Sequence, residues 1–300
     1  MKLRKRLAAA LLAVFALARP AFADDASVVY AKMPAHPALW TVHGPKGTAY
    51  LFGSMHLLPP QVDWHTKEID AAIAKSDTLV FEIALDGDAQ QRMMTYVAAH
   101  GLLPAGQHLR DMLTPEARTE LDTEVKKLPL TSEEVDHMQP WLASLMVEMA
   151  GLAKGGNLTA PGVDQQLQAD PRGKPIVGLE TVEEQLTLLS SGDPKTQLEA
   201  FEAGLKTSGE PASNTIGPLL DAWMHGRPDR IASLTQKELA NYPEARKLLF
   251  DDRNRAWVEK ISSFLDQPKV YFITVGAGHL AGRQGVPALL RARGFSVEGP

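Results

Sequence analysis

The sequence predicts an α/β protein, a mixed sheet drawn from strands near both ends of the chain with a large helical insertion in the middle. Three observations carry this. Apolar runs at opposite ends finish alike, Leu51-Phe52 before Gly53-Ser54-Met55-His56 and Tyr271 to Val275 before Gly276-Ala277-Gly278-His279. Thr78 to Ile83 is a continuous apolar run, as expected of a strand buried on both faces. Between about 88 and 265, capping and proline signals open helix after helix, interrupted by one strand near 175–180.

The chain opens on Lys2, Arg4, Lys5 and Arg6, then an apolar stretch from Leu7 to Leu17 that is short for a bilayer. Ala21-Phe22-Ala23 follows in an A-x-A pattern. This predicts a secretory signal over residues 1–23, cleaved after Ala23, and an exported, periplasmic product folding as one α/β domain over 24–300. The chain has no cysteine. A lipoprotein anchor, disulfides and thiolate metal ligands are therefore excluded, and no stable membrane anchor is expected. Lys2, Arg4, Lys5, Arg6 and Arg19 all lie in the signal and no acid does, so its removal takes the formal charge from −5 to −10. An acidic product argues against nucleic acid and anionic membrane surfaces as partners; the partner expected is a peptide or other small-molecule substrate. The oligomeric state is left open.

Leu39 to Val42 and Tyr50 to Phe52 flank Gly44-Pro45-Lys46-Gly47, a hairpin signal. Ile69 and Ile73 mark a short amphipathic helix over Glu68 to Ser76. Thr114-Pro115-Glu116 caps a helix with Leu121, Val125 and Leu128 on its apolar stripe, and Trp141 to Leu152 is a second, strongly apolar helix. A loop is expected from Gly155 to Gly162, helices open at Asp193-Pro194 and Pro243-Glu244, and Pro175 to Glu180 is a strand. Thr181 to Glu184 reads as a capping box. Val270 to Val275, a helix from Pro287 to Arg293 closed by Gly294, and a strand from Phe295 to Glu298 complete the chain.

In open α/β sheets, sites form beyond the carboxyl ends of strands. Four strands here end in a candidate: His56, Glu82, Glu180 and His279. Two imidazoles and a carboxylate are a common set for a hydrolytic metal ion, which lowers the pKa of a bound water and polarises a carbonyl. Taken singly, each has a plainer reading as a loop, cap or ion-pair residue. The repetition at four strand ends is what favours a site. His36, His43, His65, His100, His108, His137 and His225 lack that context and read as surface or loop residues. Phe250, Asn254, Trp257, Val258, Ile261 and Leu265 share one helical stripe, which buries Asn254; a buried amide needs partners. Arg253, beside that stripe, either holds a carboxylate or oxyanion or joins an exposed Asp/Arg network. Asp164, after Gly162-Val163, reads as a helix cap. Gly276 to Ala281 also satisfies the loose G-x-G-x-x-A dinucleotide pattern, but too little chain follows for a second half-sheet.

These residues resemble the TraB/GumN family, whose animal relatives include the Tiki proteases. The resemblance rests on Tyr50 to Pro59, Phe81-Glu82, Gly162-Val163-Asp164, Gly178-Leu179-Glu180-Thr181 with Gln185, Asp252-Arg253-Asn254, and Val275 to Gly282. It implies a metal-dependent hydrolytic site, a peptidase in the Tiki branch, with a divalent ion of Mn, Co or Zn type. His56, Glu82 and His279 match the metal positions, while Glu82, Glu180, Arg253 and Asn254 match polar positions that would serve as base or orient water and substrate. The second motif departs slightly, since its frame starts at Gly276. The alternative is a non-catalytic exported protein that holds haem or a metal through the paired histidines, with Met55 as a softer neighbour.

Overall fold

The computed structural model describes residues 33–126, 131–155, 160–207 and 216–300. The signal expected over 1–23, Leu128 of the expected apolar stripe and the middle of the expected loop, 156–159, lie outside the described residues. The chain falls into two compact units, each with its own packing.

The first unit, built from Tyr30–Ala84, Thr159–Thr181 and Thr215–Pro300, carries the sheet. Its strands are β1 (Met33–Pro34), β2 (Leu39–His43), β3 (Thr48–Ser54), β4 (Leu57–Leu58), β5 (Val62–Asp63), β6 (Thr78–Ile83), β7 (Ala160–Pro161), β8 (Ile176–Glu180), β9 (Val270–Gly276) and β10 (Ser296–Glu298). Six of them form a mixed sheet in the order β10-β2-β3-β9-β6-β8. The β10–β2 and β2–β3 pairs are antiparallel; β3, β9, β6 and β8 run parallel as four neighbours. Strands from the two chain ends thus interleave, as the sequence predicts.

Side chains alternate between the two sheet faces, and both are covered. On one face Phe52, Phe81 and Phe272 pack with Trp64, Trp223 and the Ile69–Ile73 ridge of helix Lys67–Lys75. On the other, Leu51, Val80, Ile273 and Val275 pack with Trp257, Val258, Ile261 and Leu265 of helix Asp252–Leu265. This is a three-layer α/β/α core, so the continuous apolar character of β6 and β9 follows from burial on both sides. In the sheet register Ser54 stands opposite Gly276, Phe81 opposite Thr274 and Ile83 opposite Glu180. The carboxyl ends of the four parallel strands therefore lie side by side.

The second unit gathers Leu85–Leu158 and Val182–Asn214 and is helical in its described part. Helix Pro115–Val125 starts at Thr114, whose side chain accepts from Ala117 N, and Asp193 caps Pro194–Thr207 by accepting from Thr196 N at 2.9 Å. A helix over Ala89–His100, not foreseen from the sequence, packs on Val182–Ser190 through Tyr96, whose hydroxyl bonds Thr187 and Ser190. Among the described residues, no helix is long and apolar enough to cross a membrane.

Candidate functional site

Each predicted residue arrives at the same edge of the sheet by a different device. His56 stands two residues beyond β3, where Gly162 closes on its backbone. Gly162 N donates to His56 O and Val163 N to Met55 O, at 3.0 and 3.2 Å. Only glycine fits there, because a Cβ would lie 2.1 Å from Met55 O. Helix Val163–Ala169 then aims Asp164 at the histidine, with Asp164 Oδ1 3.3 Å from His56 Nδ1. The buried Ser54 hydroxyl donates to the same oxygen. Helix Val163–Ala169 takes Gly162 as its N-cap, so Asp164 is not the cap that the sequence reading expects. It sits past the Gly162 N-cap position, and its carboxylate is drawn to Ser54 and His56 instead.

Glu82 is the penultimate residue of β6 and Glu180 the last of β8. His279 lies in a short 3-10 turn, Ala277–Leu280, just after β9. The three metal-site candidates converge around the Gly276 backbone. A Cβ there would be 3.2 Å from Glu82 Oε1, 3.5 Å from His279 Cδ2 and 3.7 Å from His56 Nε2. Gly276 N itself donates to Glu82 Oε1 at 2.7 Å.

Helix Asp252–Leu265 supplies the rest. Asn254, 2% exposed, donates to Gln284 O at 2.8 Å, which turns its Oδ1 toward His279 Nδ1 at 2.6 Å. His279 Nδ1 therefore carries the proton, and Nε2 keeps its lone pair. Phe250 stacks on the ring and Trp257 tilts against it, with centroids 4.7 and 4.4 Å away. The Arg253 side chain is only 10% exposed and does not join an exposed network. Its Nε and Nη2 clamp both Glu180 oxygens at 2.8 Å, Nη2 reaches Glu82 at 2.7 Å, and Nη1 lies 3.2 Å from His279 Nε2. Trp257 Nε1 completes the cluster by donating to Glu180 at 2.9 Å. A π-helical turn over Lys247–Asp251, ahead of this helix, presents Phe250 to the ring and leaves Leu249 O to accept from Arg253 Nη1.

Charge divides the site into two kinds of histidine. Burial pushes the His279 pKa down to about 3, with Arg253 and His56 acting the same way and Glu82 opposing. The ring is neutral at ordinary pH. His56, with 61% of its side chain open to solvent, is raised to about 9, chiefly by the Asp164 carboxylate. Solvent around it screens that pair. Burial opposes the ionisation of Glu82, but the charge that His279 gains in acid, then those of Arg253 and His56 and the Gly276 N–H, outweigh it and bring it down to about 2. Burial also opposes the charge on Arg253, and its bonds to Glu180 and the Glu82 charge outweigh it and raise its pKa.

A family model described as TraB/PrgY/gumN matches residues 38–299. The chain belongs to that family. Its relatives include an uncharacterized protein of Treponema pallidum, 21% identical over 85% of this chain and 80% of its own length. Metalloprotease TIKI1 of Danio rerio is 23% identical over 87% of this chain, which spans 62% of the longer fish protein. The uncharacterized YbaP of Escherichia coli is 22% identical over 81% of this chain and 87% of its own length. No solved structure matches the chain.

A metalloprotease relative raises the question of metal fit. His56, Glu82 and His279 are suitable donor types, and the Asn254–His279 bond leaves the outer imidazole nitrogen unprotonated, as a ligand requires. Their arrangement does not fit. Among the described residues, no three His, Asp or Glu side chains are grouped to hold an ion. Arg253 uses the His279 Nε2 and Glu82 lone pairs that a cation would need.

All six predicted residues meet in this cluster. Sequence reasoning missed Asp164, Ser54, Trp257 and Phe250 as members. Gly162-Val163-Asp164 was already among the residues carrying the family resemblance, and that was the available signal for Asp164. Trp257 and Phe250 were visible only as core positions of an apolar stripe.

Proposed function

We propose that this protein is an exported hydrolase acting on peptides. The convergence of His56, Glu82 and His279 around Gly276 carries this reading. Support for the peptide substrate comes from TIKI1, named a metalloprotease, and from the shared family. Export and the acidic charge of the product favour a periplasmic setting without nucleic-acid partners or a membrane anchor.

Roles follow from protonation. His56 is protonated at neutral pH, faces solvent and is held by Asp164, so it can donate to a carbonyl oxygen or a leaving amine. Glu82 is ionised, and a carboxylate held this low is a poor proton acceptor. It acts as a charge anchor and donor group instead of the general base. Glu180 fixes Arg253, and Asn254 fixes the tautomer of His279. TIKI1 is named a metalloprotease, but no step of this reading is routed through an ion, because Arg253 takes the His279 Nε2 and Glu82 lone pairs and His56 is protonated.

The test is cleavage of a fluorogenic peptide library by the purified protein, with and without added Mn²⁺, Co²⁺ or Zn²⁺. Glu82→Gln and His279→Ala are expected to lower turnover about 100-fold or more. Full turnover in both variants, or none from the wild type under any metal condition, rejects the proposal.

A further inference from the structure

The end of β3 is tied down residue by residue. Gly53 O accepts from Trp223 Nε1 at 2.8 Å, Met55 O from Val163 N and His56 O from Gly162 N. Between them Ser54, only 3% exposed, turns its hydroxyl to Asp164 and makes two bonds there. Asp164 N donates to Ser54 Oγ at 3.3 Å, and the hydroxyl donates to Asp164 Oδ1. The first bond directs the second, because an oxygen that takes an N–H on a lone pair keeps its own proton for the carboxylate. Oδ1 is also the oxygen that meets His56 Nδ1, at 3.3 Å.

We propose that Ser54 is a positioning residue: its hydroxyl holds the Asp164 carboxylate off its own helix and against His56, which aims His56 Nε2 at the Gly276 end of the cluster. The proposal rests on the hydrolase reading, in which His56 gives the proton. Asp164 lies in the first turn of Val163–Ala169, where free backbone N–H groups attract a carboxylate. Ser54 competes with them by bonding both the side chain and the backbone N–H of Asp164. His56 cannot hold the pair from its own side. Its side chain is 61% open to solvent against 20% for Asp164, and an exposed ion pair alone fixes a side chain poorly. With Asp164 fixed, Nδ1 faces the carboxylate and Nε2 lies 3.7 Å from where a Gly276 Cβ would stand. The same point is 3.2 Å from Glu82 Oε1, so the free nitrogen is presented to the cluster. Packing alone does not call for a hydroxyl at a strand end this buried.

The experiment follows the His56 side chain of the purified protein by NMR, through the three-bond couplings that report its χ1 rotamer, together with peptide turnover. Ser54→Ala removes the hydroxyl. Ser54→Cys keeps nearly the same volume with only a weak donor, which guards against misfolding, and the chain has no cysteine for the thiol to pair with. Ser54→Thr keeps the hydroxyl. Wild type and Ser54→Thr are expected to hold His56 in one rotamer. Ser54→Ala and Ser54→Cys are expected to average it and to lower kcat about tenfold, with KM within about twofold of wild type. A serine with a purely structural role would lower the melting temperature and leave the rotamer and kcat alone. One fixed rotamer in Ser54→Cys, an averaged one in wild type or Ser54→Thr, a raised KM with kcat unchanged, or full turnover despite averaging overturns the proposal. Cleavage by wild type with a fixed rotamer in Ser54→Cys sinks the positioning role and leaves the hydrolase reading standing. No cleavage by wild type sinks the hydrolase reading, and the couplings still decide whether Ser54 orients His56.

Discussion

At the scale of single residues, the two histidines have opposite environments. His279 is enclosed by two aromatic rings and an amide, so its charged form has lost its water and gained no carboxylate bond. His56 keeps its water and gains Asp164. This difference decides their protonation, and it is testable. The imidazole of His56 is expected to titrate well above the ordinary value, toward about 9, when followed by NMR. Asp164→Asn removes the largest cause and is expected to return it toward 6.5. The sign for stability follows: a raised folded pKa stabilises fully below about 6.5, and the contribution is lost as pH rises through about 9. An unchanged His56 titration in Asp164→Asn contradicts the pairing.

At the scale of elements, four parallel strands ending side by side do most of the assembly, and glycine lets backbones approach where the site needs it. The central strand β9 contains one feature that burial alone disfavours. Thr274 is fully buried, stands opposite Phe52 and Phe81 in the register, and its hydroxyl has no hydrogen-bond partner among the described residues. Valine has nearly the same shape and no polar atom to desolvate. Thr274→Val is therefore expected to stabilise the protein by about 1 kcal/mol in denaturant unfolding, with unchanged m-value. A loss of stability of similar size would mean that the hydroxyl is satisfied after all.

At the scale of the molecule, the sheet was legible because its strands announce themselves by uninterrupted apolar runs, and the four strand-end residues because the fold class dictates where such residues point. Asn254 was legible through helical periodicity. Asp164 was not: the contact that gives it meaning joins residues 108 apart in sequence, and its local context imitates a cap. The π turn beside Arg253 was equally hidden, since it is a hydrogen-bonding choice made by tertiary packing and not by propensity. The same cluster sets how the whole protein responds to acid. His279 takes up a proton below about 6.5 when unfolded but only near 3 when folded, so its contribution to stability is lost as pH falls across that window. Glu82, ordinarily near 4.5 and held near 2 in the fold, adds a second loss that begins below 4.5 and is complete as pH falls through about 2. His56 does not offset these losses, because its contribution is already complete below about 6.5. The melting temperature is therefore expected to fall steadily from pH 7 to pH 4. In His279→Gln, which has no proton to gain, the curve is expected to flatten over that range while its pH 7 value drops. Melts of the two proteins across that range check this, and parallel curves would show that His279 is not the group that makes the fold sensitive to acid.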